Sequence, residues 1–150
     1  CKAAFRPFRS PWAAGLAISG LNVFVKRLLP ATVIRPLTAE EMAYYLEPYP
    51  TFASRRPVRQ WPREIPIDGK PADVHEAVAA YNGWLQRSEI PKLLMHAKPG
   101  ALITRRGVEM ARQRFPRLET AEIGRGLHFV QEDNPHAIGQ AIAGWARGLP

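Results

Sequence analysis

The four histidines of this 150-residue chain are its side chains best suited to acid–base chemistry near neutral pH. His75 lies in the middle of a predicted helix, where a partly exposed surface role is expected, and His136 lies in the first turn of another helix. His96 lies inside a predicted strand, where a hydrogen-bonded core role is the simplest interpretation. His128 differs from the other three, because it lies just beyond a predicted strand and before a helix start.

Of the four histidines, His128 is the one whose predicted position would let its side chain reach a substrate. In open α/β sheets, ligands bind outside the carboxyl ends of the strands. Gly124 and Gly126 precede His128 and allow the backbone to turn sharply, while Glu132 and Asp133 lead into the positive end of the next helix. The pattern therefore favours His128 as a catalytic acid or base.

A nucleophile to work with this histidine is not found in the sequence. There is no G-x-S-x-G elbow, and Ser19 lies in the segment Gly15–Gly20 with the wrong spacing. Phosphate-binding loops, dinucleotide fingerprints and metal-spaced histidine pairs are also missing, so no cofactor or metal is expected. Cys1 is the single cysteine, which excludes an internal disulfide and indicates a reducing, cytoplasmic location.

The elements that would position His128 follow a regular alternation after Gly69. Apolar spacing predicts a helix over residues 72–87 and short apolar runs predict strands at Lys92–Ala97 and Leu118–Ile123. Thr104 is the expected cap of a helix between the strands, and Asn134 with Pro135 is expected to start a last one. This order is typical of a parallel α/β sheet, although two strands are too few to bury three helices. An incomplete α/β fold is therefore expected.

The first 60 or so residues have a different character. Thr38 and Glu41 form a capping box that starts a short helix, which ends before Pro48. Short helices cut by proline suit a lid over another domain, so residues 1–66 are expected to be helical cap and residues 67–150 main domain. The prolines expected to stop helices are Pro7, Pro11, Pro30, Pro36, Pro48, Pro50 and Pro57.

A net charge of +8 raises the question of acidic partners such as nucleic acid. Two arginine clusters, at 55–63 and 105–117, contain one aromatic residue each, Trp61 and Phe115, instead of the repeated aromatic residues that base stacking uses, so no nucleic acid is expected. A non-catalytic basic binding module remains an alternative. Lys26 and Arg27 interrupt the longest apolar stretch before the ~20 residues that a membrane span needs, so no membrane is expected.

The segment around His128 closely resembles the one that holds the catalytic base of haloalkane dehalogenases, which are α/β-hydrolases. This segment is Gly126–Pro135, with the sequence GLHFVQEDNP. Upstream segments resemble the same family in register, and together they cover nearly the whole chain. They are Asn22–Val25, Leu29–Pro30, Arg35–Met42, Glu47–Tyr49, Arg55–Pro57, Trp61–Ile67, Pro71–Asp73, Pro91–Leu94 and Pro99–Leu102.

The resemblance implies the C-terminal half of such an enzyme, with part of its cap. In the family an aspartate displaces halide from carbon, and the histidine then activates the water that hydrolyses the resulting ester. The aspartate and the halide-binding residues would lie upstream of Cys1, so the isolated chain is expected to be inactive. Lys98 lies where some relatives carry the acid that orients the histidine, which resembles the subgroup whose acid is an upstream glutamate.

The resemblance also implies an apolar substrate pocket, with a halogenated alkane and water as reactants. For Phe5 and Thr32 ordinary packing is an equally good interpretation. Another α/β-hydrolase, such as an epoxide hydrolase or a luciferase-like relative, is the alternative of the same fold. The residues expected to line the pocket are Phe5, Phe24, Leu28, Thr32, Trp61, Pro62, Ile65, Leu102, Leu127 and Phe129.

Overall fold

A computed structural model describes residues 8–149 of the chain. By their internal contacts the residues divide into two compact units. The first unit is Cys1–Pro30 with Leu37–Tyr81, and the second is Ala31–Pro36 with Asn82–Pro150. The expected boundary between cap and main domain, after residue 66, stays a prediction.

Helices make up the first unit. Thr38 and Glu41 form the predicted capping box, with Thr38 Oγ1 accepting from the Glu41 backbone N–H at 3.2 Å and Glu41 Oε2 accepting from the Thr38 N–H at 2.8 Å. The helices are α1 (Pro11–Ala14), the π-helical segments π1 (Gly15–Gly20) and π2 (Phe24–Leu28), α2 (Leu29–Ala31), α3 (Ala39–Leu46), α4 (Arg56–Glu64) and α5 (Ala72–Arg87), whose last residues belong to the second unit.

Three prolines expected to stop helices lie inside them instead. Pro11 begins α1, Pro30 lies within α2, and Pro57 is at the start of α4. The expectation was wrong for these three. Pro11 and Pro57 lie in a first helical turn, where the missing donor would be unpaired anyway. Pro30 lies one residue before the end of the helical stretch that π2 and α2 form together. The stop after Leu46, before Pro48, is confirmed.

The core of the first unit is built around the bend between π1 and π2. Asn22, which is buried, adopts a φ of 52°, and the helical stretches on either side meet at 65°. Ile18 and Val25 are buried on the two sides of this bend. In residues 8–149 no single helix has the length and hydropathy to cross a membrane, although this bent pair meets both criteria when taken together.

Arg55 closes the end of π1 by donating to four backbone carbonyls. Its guanidinium group reaches Ser19 O at 2.8 Å, Gly20 O at 3.0 Å, Tyr49 O at 2.9 Å and Pro50 O at 2.9 Å. The last carbonyls of a helix have no partner within the helix, so a side chain that satisfies two of them stabilises its end. Arg55 therefore ties π1 to the loop before α4.

We expect Arg55→Met to lower the free energy of unfolding by about 2 kcal/mol, because hydrogen bonds from a charged donor are lost and two of them, to Ser19 O and Tyr49 O, are partly buried. Urea unfolding followed by circular dichroism measures this change. The neighbouring Arg56, which is exposed, provides the control. Arg56→Met is expected to change the stability by less than about 0.5 kcal/mol, and equal losses for both variants would contradict the role assigned to Arg55.

The second unit contains the predicted parallel α/β arrangement. β1 (Lys92–Pro99) pairs in parallel with β2 (Leu118–Gly126), and α6 (Arg105–Arg114) connects them. Both strands run two to three residues beyond their predicted ends. The short α7 (Val130–Asp133) and the terminal α8 (Pro135–Arg147) follow β2.

The helix starts in this unit are confirmed, but only one of the two expected caps is formed. Thr104 Oγ1 accepts from the Gly107 N–H at 3.2 Å. The Asn134 side chain makes no cap for α8 and instead donates to Arg125 O at 2.6 Å. Val33, Ala97, Val108 and Ile123 form the buried core.

Candidate active site

His128 lies where the sequence analysis placed it, two residues after β2 ends. It is half-buried, and its ring contacts the Phe129 ring edge-on at a centroid distance of 4.9 Å. Because β1 and β2 are parallel, the carboxyl end of β1 lies at the same edge of the sheet. The backbone after β1 extends this pairing, since Ala101 N–H donates to Leu127 O at 2.9 Å. The histidine is thus held at the sheet edge where α/β proteins bind ligands.

A distant segment of the chain supports the peptide of His128 from the other side. This segment, Ala31–Pro36, is called the strap here, and it belongs to the second unit. Thr32 O accepts from the backbone N–H of His128 at 3.1 Å and of Phe129 at 3.4 Å. These contacts span more than 90 residues of sequence, so the position of His128 depends on tertiary structure as well as on its own loop.

Asp133 fastens the strap to α7. Its carboxylate accepts from the backbone N–H of Ile34 at 3.0 and 3.1 Å and of Arg35 at 2.9 Å. A carboxylate that accepts several backbone N–H groups makes the stronger, charge-assisted kind of hydrogen bond. Arg35 completes the connection by donating to Glu132 O at 2.6 Å and by pairing with the Glu132 carboxylate at 3.0 Å. Hydrogen bonds and an ion pair therefore hold the strap against the segment that follows His128.

Gly124 and Gly126 allow the backbone before His128 to turn, and they also leave room for neighbouring atoms that a side chain would contact too closely. A Cβ at Gly126 would lie 3.0 Å from Ala97 Cβ and 3.1 Å from Val130 Cγ1. Gly124 has a φ of +105°, and a Cβ there would lie 2.8 Å from Asn134 Oδ1. Larger residues would push β2 away from β1 and α7, and with it the start of the His128 loop.

Lys98, near the carboxyl end of β1, makes an ion pair across the sheet. Its ammonium group contacts the Glu122 carboxylate at 2.6 Å. Hydrogen bonding from Lys98, together with the charges of Lys98 and His96, lowers the pKa of Glu122 from its ordinary value. Within residues 8–149 no carboxylate makes an ion pair or a hydrogen bond with the His128 imidazole.

The pocket residues predicted in the second unit fall into two places. Leu127, Phe129 and Thr32 adjoin His128 through the chain or through the backbone hydrogen bonds described above. Leu102 lies elsewhere: it is 63% exposed and lines a groove of about 350 Å³ with Leu94 and Phe115. His96 is half-buried rather than a core residue, and it lines a different cavity with α6.

The pocket residues predicted in the first unit centre on an aromatic contact. Phe24 packs edge-on against Phe8 on one side and Trp61 on the other, at centroid distances of 5.8 Å. Pro62 is fully buried beside Trp61. Leu28 and Ile65 are half-buried, and Ile65 O accepts from Arg9 at 2.7 Å. Phe5 lies outside the described residues.

Sequence reasoning missed the part that the strap plays. Arg35 was noted only as part of a segment that resembles the family, and Asp133 only as a charge near a helix start. Their separation of 98 residues gives no local pattern that would link them. One signal in the sequence could have indicated this role of Asp133. A carboxylate between a candidate histidine and a helix start is well placed to accept hydrogen bonds from backbone N–H groups.

Comparison with known proteins places the chain among haloalkane dehalogenases. No protein-family model matches the chain. It is 45% identical over 148 residues to a haloalkane dehalogenase of Bradyrhizobium diazoefficiens, and the match covers 99% of this chain and 48% of the relative. It is 46% identical over 146 residues to one of Sphingobium indicum, covering 97% and 48% of the two chains. The chain thus spans about half the length of the curated relatives it matches.

The fold agrees with that comparison. The crystal structure of haloalkane dehalogenase DbeA from Bradyrhizobium elkani matches with a TM-score of 0.94 and 41% identity, over 98% of this chain and 50% of that one. An α/β-hydrolase fold class is thereby confirmed, and so is the resemblance carried by the His128 segment. By sequence and by structure, the chain is homologous to one half of the haloalkane dehalogenases.

Proposed function

We propose that this protein takes part in the hydrolysis of carbon–halogen bonds, converting a haloalkane and water to an alcohol, a halide ion and a proton. The observation that carries the proposal is the placement of His128. It lies at the carboxyl end of a parallel strand, in a chain 45% identical to a haloalkane dehalogenase. The family relationship supports the reaction class, and the site supplies a residue with the chemistry that the reaction needs.

In the proposed mechanism, His128 acts in the second of two steps. An aspartate outside this chain first attacks the carbon that bears the halogen, so that a carbon–oxygen bond forms and halide leaves with the bonding electrons. His128 then accepts a proton from water, and the oxygen attacks the ester carbonyl. The alcohol is released, the aspartate is regenerated, and the imidazolium returns its proton to solvent. An imidazole suits both transfers, because its pKa is close to neutral.

The surroundings of His128 suit this role because they fix its backbone. Thr32 O holds its N–H, and Asp133 holds the strap that contains Thr32. A base that is held in place by its neighbours needs no rearrangement when water arrives. We assign Asp133 and Arg35 as positioning residues, since their contacts run to the strap and to α7.

Apolar side chains are proposed to form the rest of the pocket. They would hold the alkyl group and exclude bulk water from the ester. The reaction needs neither metal nor cofactor, and a cytoplasmic location suits a chain with one cysteine. In the second unit the lining proposed beside His128 is Thr32, Leu127 and Phe129, while Leu102 lines a groove of its own. In the first unit the proposed lining residues are Phe5, Phe24, Leu28, Trp61, Pro62 and Ile65.

The test compares the isolated chain with a chimera in which it replaces the matching half of the Bradyrhizobium diazoefficiens relative. The isolated chain is expected to release no bromide from 1-bromobutane above the uncatalysed rate, because the proposed nucleophile is not in it. The chimera is expected to release bromide and butanol in equal amounts. Ion chromatography and gas chromatography measure the two products.

Two results would count against the proposal. Turnover by the isolated chain would mean that the chemistry lies on other residues. A chimera that shows a cooperative unfolding transition but releases no bromide would mean that this chain does not supply a working base.

A further inference from the structure

A second cavity lies in the second unit, between α6 and the face of the two-stranded sheet. Its volume is about 870 Å³, within the range of sites that bind small molecules. Charged side chains form its walls, and Ala97, Pro99 and Val108 give it an apolar part. His128 is not among its lining residues. The cavity is therefore separate from the site proposed for haloalkane hydrolysis and does not depend on that proposal.

An irregularity in strand pairing brings Arg125 to the wall of this cavity. His96 pairs with Glu122 and Lys98 pairs with Arg125, so β2 has one residue more than β1 between the two pairs. Side chains alternate between the faces of a strand, and residues 122 and 125 would normally point to opposite faces. The extra residue, in a stretch where Gly124 has a positive φ, restores Arg125 to the face of Glu122.

The charges in the cavity do not balance. Four permanent cations line it, and its two carboxylates are already paired: Glu122 with Lys98 at 2.6 Å and Glu109 with Arg105 at 3.1 Å. Arg112 donates only to the neutral hydroxyl of Thr120. For the Arg125 side chain, no carboxylate lies within 4.0 Å in the part of the chain that the structure describes. Two guanidinium groups are thus left without a negative partner. The four cations are Lys98, Arg105, Arg112 and Arg125.

We infer that this cavity binds a small organic oxyanion of the phosphate monoester class. A guanidinium group presents parallel N–H donors that match two phosphate oxygens, which makes arginine better suited to this anion than lysine. The apolar part formed by Ala97, Pro99 and Val108 would accommodate the organic group. Nucleic acid fits less well, since no Phe, Tyr or Trp side chain lines the cavity for base stacking and both carboxylates face it.

Phenyl phosphate is the probe that matches this chemistry, with inorganic phosphate and phenol as its two halves. We expect saturable binding of one phenyl phosphate per full chain, by isothermal titration calorimetry at low salt, and weaker binding of either half. Arg125→Gln and Arg112→Gln should each weaken binding by about tenfold or more, because each removes charged hydrogen bonds. Arg106→Gln is the matched control, since Arg106 is an exposed α6 residue outside the cavity lining.

Two further variants keep the test decisive if a glutamine variant unfolds. Arg125→Lys keeps the charge but loses the paired donors, and it should still weaken binding severalfold. Glu122→Gln frees Lys98 and removes a negative charge, so it should tighten binding severalfold. Equal weakening by Arg106→Gln, no binding of phenyl phosphate, or binding of a DNA duplex in preference to it would overturn the inference.

Discussion

In the chimera, His128→Ala is expected to lower steady-state butanol release from 1-bromobutane by about 10³-fold, the range typical of a lost general base. The first step does not use His128 in the proposed mechanism, so one bromide per active site should still be released in a rapid burst. The enzyme would then stall as an ester, because water is no longer activated. Quenched-flow bromide measurements detect the burst, and mass spectrometry of the quenched protein detects the added alkyl group.

His136→Ala serves as the control for this experiment. His136 is exposed in the first turn of α8, a few residues from the site, and its replacement should leave both rates unchanged. If His128→Ala abolished the burst along with turnover, the histidine would be acting before ester formation. Undiminished turnover would remove it from the mechanism altogether.

Asp133→Ala in the same chimera is expected to lower kcat by about 10 to 100-fold while KM changes little, since a small misplacement of a catalytic group costs rate on this scale. The change removes the acceptor for two strap N–H groups, and the strap carries Thr32, which holds the His128 peptide. Stopped-flow and steady-state kinetics separate this loss from weaker substrate binding. The size of the bromide burst should not change.

Conservative variants distinguish positioning from simple loss of stability. Asp133→Asn keeps one carbonyl oxygen as acceptor and should recover part of kcat, even where both variants unfold at the same urea concentration. Asp73→Ala replaces an exposed carboxylate in the first turn of α5 and should have no effect on kcat. A large rise in KM with kcat intact would assign Asp133 to substrate binding and contradict the positioning role.

Local patterns in the sequence were sufficient for most of the helices and strands. The Thr38 and Glu41 box and the Thr104 cap depend only on residues three positions apart, so they are visible without a structure. The two strands were recognised as apolar runs, but their ends were placed too early. Polar residues such as Lys98 and Arg125 continue the pairing at a solvent-exposed sheet face, where hydrophobicity gives no signal.

What could not be predicted depends on contacts between distant residues. Arg55 satisfies carbonyls 35 and 36 positions away, and Asp133 holds backbone groups 98 and 99 positions away. The Asn134 side chain was expected to cap α8, but it makes no cap hydrogen bond, and its amide group instead donates to Arg125 O at 2.6 Å. The closeness of Arg125 to the arginines of α6 was not predicted, because strand parity without the extra residue in β2 would direct Arg125 to the opposite face of the sheet.

The course of the chain through the two units restricts how this protein can be recombined with its relatives. Residues 31–36 interrupt the first unit and belong to the second, so the second unit is discontinuous in sequence. Exchange of residues 37–81 alone would leave the strap and residues 128–133 native, and with them the hydrogen bonds that join the two segments. A crossover at residue 81 would instead import a foreign strap, and its Arg35 and Thr32 counterparts would have to fit this chain's Asp133 and His128. Sequence changes in the first unit are therefore least restricted in residues 37–81, which follow the strap in the chain.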